Sequence, residues 1–235
     1  MKTHIPNFIT CLNLLCGCLA IYFIFQQDLI TAAYLVVAAA ALDFMDGMVA
    51  RVLHSYSEIG KQLDSLADMV SFGVVPGAMM LQLLTRSIET ASASANFPEW
   101  LPFAGFLITI FSALRLAKFN IDTRQTSSFI GVPTPACTLF VISLPLIMAH
   151  DDFGLTGVIL NPFVLLAITV LFSYLLIAEL PLFALKFKNM AWQGNQVRFI
   201  FMGLSVLFFA IFNFTAIPLN LAIYILLSFL KPSSL

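Results

Sequence analysis

Four aspartates crowd into a stretch of 26 positions in a chain that otherwise carries few charges, and their spacing is that of a binding site. The segment reads Asp43-Phe-Met-Asp46-Gly47-Met-Val-Ala50-Arg51, then eight residues, then Gly60, Asp64 and Asp68. Residues three and four apart share a helix face, so Asp43 and Asp46 point one way, as do Gly60, Asp64 and Asp68. In an apolar segment each acid costs roughly 2.5–3.5 kcal/mol near a bilayer centre and less toward the interface. Four like charges also repel, and Arg51 alone cannot neutralise them. The economical solution is one or two divalent cations held by carboxylate oxygens, the hard-ligand preference of magnesium, manganese and calcium. The pattern predicts two antiparallel helices whose carboxylates converge at one membrane face.

Other residues add to this cluster. Gly47, Ala50 and Gly60 clear bulk beside the acids, where a flat base or a phosphate could approach the backbone; Gly47 and Ala50 equally suit tight helix packing. Arg115, Lys118 and Asn120 form a second polar group near the end of a later apolar run. Arg115 and Lys118 are three apart and share a face. A guanidinium binds phosphate or carboxylate in two-pronged fashion, although both cations also suit a role as interfacial anchors. The four cysteines (Cys11, Cys16, Cys18, Cys137) match neither zinc-ligand nor redox spacing and read as small packing residues. The three histidines are scattered without metal-ligand spacing. Glu179 lies inside an apolar run without an assignable role.

The elements that must position these groups are membrane helices. Of 235 residues, 60% are hydrophobic and 10% charged, and mean hydropathy is +0.98. A soluble domain carries about a quarter of its residues as charges. No basic run, and no interleaving of aromatic with basic residues, marks a nucleic-acid surface. Apolar runs place about eight spans, near 8–26, 30–52, 62–85, 101–120, 134–149, 160–185, 198–213 and 217–230. The last two are short, with Pro218 near their junction, so a long bent helix or a re-entrant pair is an alternative there. The polar stretch from Ser87 to Glu99 is expected to be a loop. The first run is retained, since no cleavage site follows it. With the N-terminus cytoplasmic, ten of the eleven Lys and Arg residues fall on that side and only Arg86 on the other, which places both termini and the acids at the cytoplasmic face. The expectation is an all-α, polytopic membrane helix bundle, residues 1–235 forming a single integral membrane domain.

Asp-x2-Asp-Gly-x2-Ala-Arg-x8-Gly-x3-Asp-x3-Asp resembles the signature of the CDP-alcohol phosphatidyltransferase family, matched at all eight fixed positions between Asp43 and Asp68. The stretches Ala113-Leu-Arg115-Leu-Ala-Lys118-Phe-Asn120 and Phe129-Ile-Gly131-Val-Pro133-Thr-Pro135 resemble its serine-using bacterial branch, as does the opening Pro6-Asn7-Phe-Ile-Thr10-x2-Asn13. The resemblance covers roughly residues 5 to 150. It implies a six-helix core and a divalent-metal site, Mg2+ or Mn2+ with Ca2+ as a structural substitute, held by Asp43, Asp46, Asp64 and Asp68. Asp68 is also implied as the general base. Gly47, Ala50, Arg51, Gly60, Asn7 and Thr10 are implied at the nucleotide, and Arg115, Lys118 and Asn120 at the acceptor or the diphosphate.

The implied partners are CDP-diacylglycerol, L-serine and membrane lipids, with no nucleic acid and with a homodimer compatible with the family. The implied location is the bacterial inner membrane. Two other readings stand beside this one. Glycerol 3-phosphate or inositol phosphate as acceptor would favour a denser basic cluster than Arg115 and Lys118 supply. A cation transporter would distribute acids along a path to the far face, and the outer halves of these spans carry almost none.

Overall fold

The computed structural model describes residues 4–55, 57–91, 96–121, 128–151, 153–183 and 195–230. Eight apolar helical rods account for most of them. α1 (His4–Phe25) and α2 (Leu29–Val52) are joined by a tight turn in which Gln27 takes a positive φ of 63°. Asp28 caps α2, accepting from the Thr31 N–H at 3.0 Å, and the hydrogen bonds from Thr31 hold its carboxyl below the ordinary carboxylate range. α3 (Glu58–Met69) runs through a five-residue π turn, Val70–Val74, into α4 (Val75–Ala91). Together they make a 34-residue rod, about 50 Å long at 1.5 Å per residue. That exceeds a hydrocarbon core of about 30 Å, so its ends project beyond one. α5 (Phe106–Ile121) follows a 3-10 turn, Leu101–Gly105. α6 (Thr134–His150), the single turn α7 (Thr156–Ile159) and α8 (Pro162–Ile177) come next, then α9 (Gln196–Phe212) and α10 (Ala216–Leu230).

Among the described residues five helical stretches are long and apolar enough to cross a membrane, the fifth running through α9 into α10, and α6 and α8 are shorter apolar helices. The core draws on Ala20 and Ile24 of α1, Val36 of α2, Met79 and Leu83 of α4, Ile142 and Leu146 of α6, and Leu165 of α8. Outside it, Phe8, Phe44, Val52, Leu66, Val170 and Val206 are exposed, as lipid-facing positions of a bundle should be. The fold is the expected all-α membrane bundle.

The structure departs from the expected spans in two places. The segment expected as a loop from Ser87 remains helical to Ala91, its hydroxyls turned back on the helix: Ser87 Oγ donates to the Leu84 carbonyl and Thr90 Oγ1 to that of Arg86, both at 2.8 Å. The span expected over 160–185 ends at Ile177. Ala178 is extended (φ −63°, ψ 137°), and the residue before Pro181 is disfavoured in the α region. The chain then forms a short strand β2 (Pro181–Phe183), antiparallel to β1 (Ser128–Ile130), with Phe129 opposite Leu182. Gly131 closes this corner at φ +76°, where an added Cβ would lie 2.9 Å from the Ala178 carbonyl oxygen and 3.0 Å from that of Leu176. The last two segments are two helices, as the apolar runs placed them, and not one long rod. Asn213 (φ 46°, ψ −128°) breaks the helix, and the rings of Phe201 and Tyr224 stand 5.6 Å apart. Twenty-three residues of straight helix would separate them by about 35 Å, so α9 and α10 form a hairpin.

Contacts at the helix ends fix the common direction. Arg86 Nη2 donates to the Gln27 carbonyl at 2.7 Å, and His150 stacks near Phe214 at 4.8 Å, which defines one end of the bundle. At the other end lie the acid-bearing ends of α2 and α3, the β ladder and the start of α9, where Val132, Leu182 and Tyr224 pack together. Among the described residues Arg51, Lys61, Arg115, Lys118 and Arg198 gather toward that acid end and Arg86 stands at the opposite one, as the charge count anticipated. Lys2, Arg124, Lys186, Lys188 and Lys231, also used in that count, lie outside the described residues.

Candidate active site

α1 is the post around which the site is built. Its buried residues, Pro6, Thr10, Asn13, Gly17, Ala20 and Ile24, recur every three or four positions and form one stripe. That stripe packs along α2 and against α3 and the π turn. Thr10 Oγ1 lies 2.6 Å from Asp46 Oδ2 and 3.1 Å from the Pro6 carbonyl. A hydroxyl has one proton, and the shorter, charge-assisted bond to the carboxylate takes it. On the other side Asn7 Oδ1 sits 2.9 Å from where a Gly60 Cβ would be, and Gly17 leaves room for Ser71. α3 starts cleanly because Ser57 caps it, accepting from the Gly60 N–H at 3.0 Å.

The acids converge as their spacing predicts. Asp43, Asp64 and Asp68 each present an oxygen, and the three oxygens lie within 4.8 Å of one another. Asp46, buried at 5% exposure, stands beside them on the wall of a cavity of about 810 Å³. Asp68 Oδ1 is buried with no hydrogen-bond partner. Three converging, part-buried carboxylates fit a hard divalent cation, whose coordination would offset their mutual repulsion. Of the residues implied at the nucleotide, Asn7, Thr10, Gly47, Ala50, Arg51 and Gly60 all line this cavity. Gly47 faces open space, the tip of Arg51 being the nearest group at 3.9 Å from an added Cβ. Arg51 is anchored by its Nε, which donates to the Gly47 carbonyl at 2.9 Å.

Gly60 lines the cavity and also admits α1, since Asn7 and Ser57 take up the room left by its missing Cβ. The second polar group divides. Arg115 is buried at 7% exposure, in electrostatic reach of Asp68 and Cys137, and its Nε has no hydrogen-bond partner. Lys118 is exposed at the last turn of α5, so the two cations do not share one environment. Asn120 Nδ2 donates to Ser65 Oγ at 3.0 Å, tying α5 to α3. Glu179 is exposed between α8 and β2. The cavity wall also includes Pro6, Ser55, Ser57, Glu58 and Lys61, which sequence reasoning did not assign. Ser57 carried a readable signal as a serine two residues after a break and three before Gly60, the N-cap position.

Residues 3–175 match the family model described as CDP-alcohol phosphatidyltransferase. The chain belongs to that family. The match takes in α1 to α8 and stops short of the α9–α10 hairpin. Among similar proteins, the CDP-diacylglycerol--serine O-phosphatidyltransferase of Bacillus subtilis is 35% identical over 162 residues, 65% of this chain and 84% of that one. The protein of the same name from Helicobacter pylori is 31% identical over 207 residues, 86% and 81% of the two chains. An archaetidylserine synthase of Methanothermobacter thermautotrophicus is 30% identical over 172 residues, 71% and 66%. This CDP-alcohol phosphatidyltransferase is thus a membrane enzyme of phospholipid synthesis, and Asp43, Asp46 and Asp64 line one cavity at one end of the bundle, with Asp68 beside them.

Proposed function

We propose that this enzyme transfers the phosphatidyl group of CDP-diacylglycerol to the hydroxyl of L-serine, giving phosphatidylserine and CMP, at the cytoplasmic face of the bacterial inner membrane. The observation that carries the reading is the convergence of Asp43, Asp64 and Asp68 beside the cavity that Gly47, Ala50 and Arg51 line. The names of the relatives from Bacillus subtilis and Helicobacter pylori support serine as the acceptor.

In this reading the nucleotide lies along Gly47, Ala50 and Arg51, where the missing side chain of Gly47 leaves the cavity deep. Asn7 and Thr10 contribute from α1. Asp43, Asp46, Asp64 and Asp68 would hold Mg2+ or Mn2+, which supplies charge neutralisation at the diphosphate. Thr10 fixes Asp46 by donating to it, so that this carboxylate meets the site in one orientation. Asp68 accepts the proton of the serine hydroxyl. The freed oxygen attacks the phosphorus on the diacylglycerol side; the bond from that phosphorus to the bridging oxygen breaks, and the bridging oxygen leaves with CMP. Arg115, buried beside Asp68, binds the serine carboxylate or the diphosphate, and exposed Lys118 adds positive potential at the cytoplasmic entrance. The acyl tails remain between helices open to lipid.

Turnover by the purified protein with CDP-diacylglycerol and L-serine, glycerol 3-phosphate or inositol phosphate tests the acceptor. L-serine alone should give CMP and phosphatidylserine. Turnover with a phosphorylated alcohol in its place would keep the acid site and reassign Arg115 and the Gly131–Pro135 segment.

A further inference from the structure

Asn13 is fully buried, and both ends of its carboxamide lack hydrogen-bond partners. A buried polar group left unmet costs about 1–3 kcal/mol, so a partner is to be expected in the working enzyme. The helix registers say where. On the α2 side, Thr10 bonds Asp46; because α1 and α2 run antiparallel, Asn13, one turn deeper, comes level with Asp43. On the α3 side, Asn7 meets Gly60 and the Asn13 carbonyl accepts from Ser71 Oγ at 3.2 Å. These helices run in the same direction, and side chains tilt toward their own N-termini. Gly17 packs on Ser71, so Asn13, four residues earlier, stands level with Ala67 and Asp68, and the buried Oδ1 of Asp68 also lacks a partner. An amide donor and a carboxylate acceptor, both unmet, stand at one depth on neighbouring helices.

We propose that Asn13 is a positioning residue for the reaction: its Nδ2 donates to the deep oxygen of Asp68 and turns the other oxygen toward the cavity. Thr10 and Asn13 then act as a pair on α1, one turn apart, each orienting one carboxylate of the signature. The inference rests on the acid cavity being the reaction site.

The test uses purified full-length protein carrying Asn13→Leu, Asn13→Ala or Asn13→Gln. Each is assayed for kcat, for KM of donor and acceptor, and for melting temperature. Asn13→Leu and Asn13→Ala should lower kcat by about tenfold to a hundredfold, the usual range for losing a group that orients a ligand residue. Both KM values should stay within about threefold, as for an interaction that matters after binding. Asn13→Gln, which keeps a carboxamide, should recover part of the loss. Should Asn13→Leu not fold, Asn13→Ala is read by the same criteria. Variants with kcat within about twofold of wild type would overturn the inference. So would a loss that follows melting temperature alone, with Asn13→Gln no better than Asn13→Ala. Absence of turnover in the wild-type protein would instead strike the proposed function, which separates the two failures.

Discussion

Asp68 differs from the other signature acids in depth and company. It shares the converging oxygens with Asp43 and Asp64, yet it does not line the cavity as Asp43, Asp46 and Asp64 do, and it lies in reach of buried Arg115. That placement suits a group that acts on the acceptor's proton while the others meet the donor. Asp68→Asn should therefore bind CDP-diacylglycerol within a fewfold of wild type and lose about 10²–10⁴-fold in turnover, the usual contribution of a general base. Donor binding by the variant and single-turnover CMP release would check this, and full turnover would remove Asp68 from the role. The convergence of the four acids was legible because two short-range spacings fix two helix faces. The pairing of Thr10 with Asp46 and of Asn120 with Ser65 was not, because it depends on which helix lies opposite, and spacing within one segment carries no such information.

At the scale of elements, the α1–α3 contact sets the geometry of the cavity. Asn7 and Ser57 fill the space beside Gly60, each 2.9 Å from where a Cβ would lie. Gly60→Ala should push α1 away from α3 at a cost of about 1–3 kcal/mol, the usual range for overpacking. It should lower melting temperature and raise the KM for donor together. An unchanged melting temperature would show that α1 yields without strain. The helices themselves were readable from apolar runs, and all eight expected segments contain one. Their ends were less so. Ser87 to Ala91 stayed helical, with the Ser87 and Thr90 hydroxyls bonded to the helix's own carbonyls and not to a turn. The span after Pro162 ended early because Pro181 could join a two-strand ladder with Ser128–Ile130. A three-residue pairing between segments about fifty residues apart leaves no periodic trace.

Across the whole molecule, the asymmetry of charge and the convergence of the acids agree on one end. Arg86 bonds the α1–α2 turn at the far end, while Arg51 and Lys61 line the cavity at the near one. A cysteine introduced at Arg198 should react with a membrane-impermeant thiol reagent only in inside-out vesicles, and one at Arg86 only in intact cells. These labellings would be made in a background with Cys11, Cys16, Cys18 and Cys137 replaced. The reverse pattern would put the site at the outer face, where CDP-linked substrates would not reach it. The α9–α10 hairpin lies beyond the family match yet packs through Tyr224 on Val132 and Leu182 at the ladder. This packing joins the hairpin to the segment that resembles the serine-using branch.

A metal-dependent transferase site formed by the signature aspartates must lose its activity when the divalent ion is removed. CMP release from CDP-diacylglycerol and L-serine by the purified protein, with Mg2+ or Mn2+ and after chelation, tests it most directly. Release should require the divalent ion and fall at least a hundredfold in Asp43→Asn and Asp64→Asn, as expected when charge stabilisation at the diphosphate is lost. Release that is indifferent to chelation, or that survives both substitutions in folded protein, would contradict it.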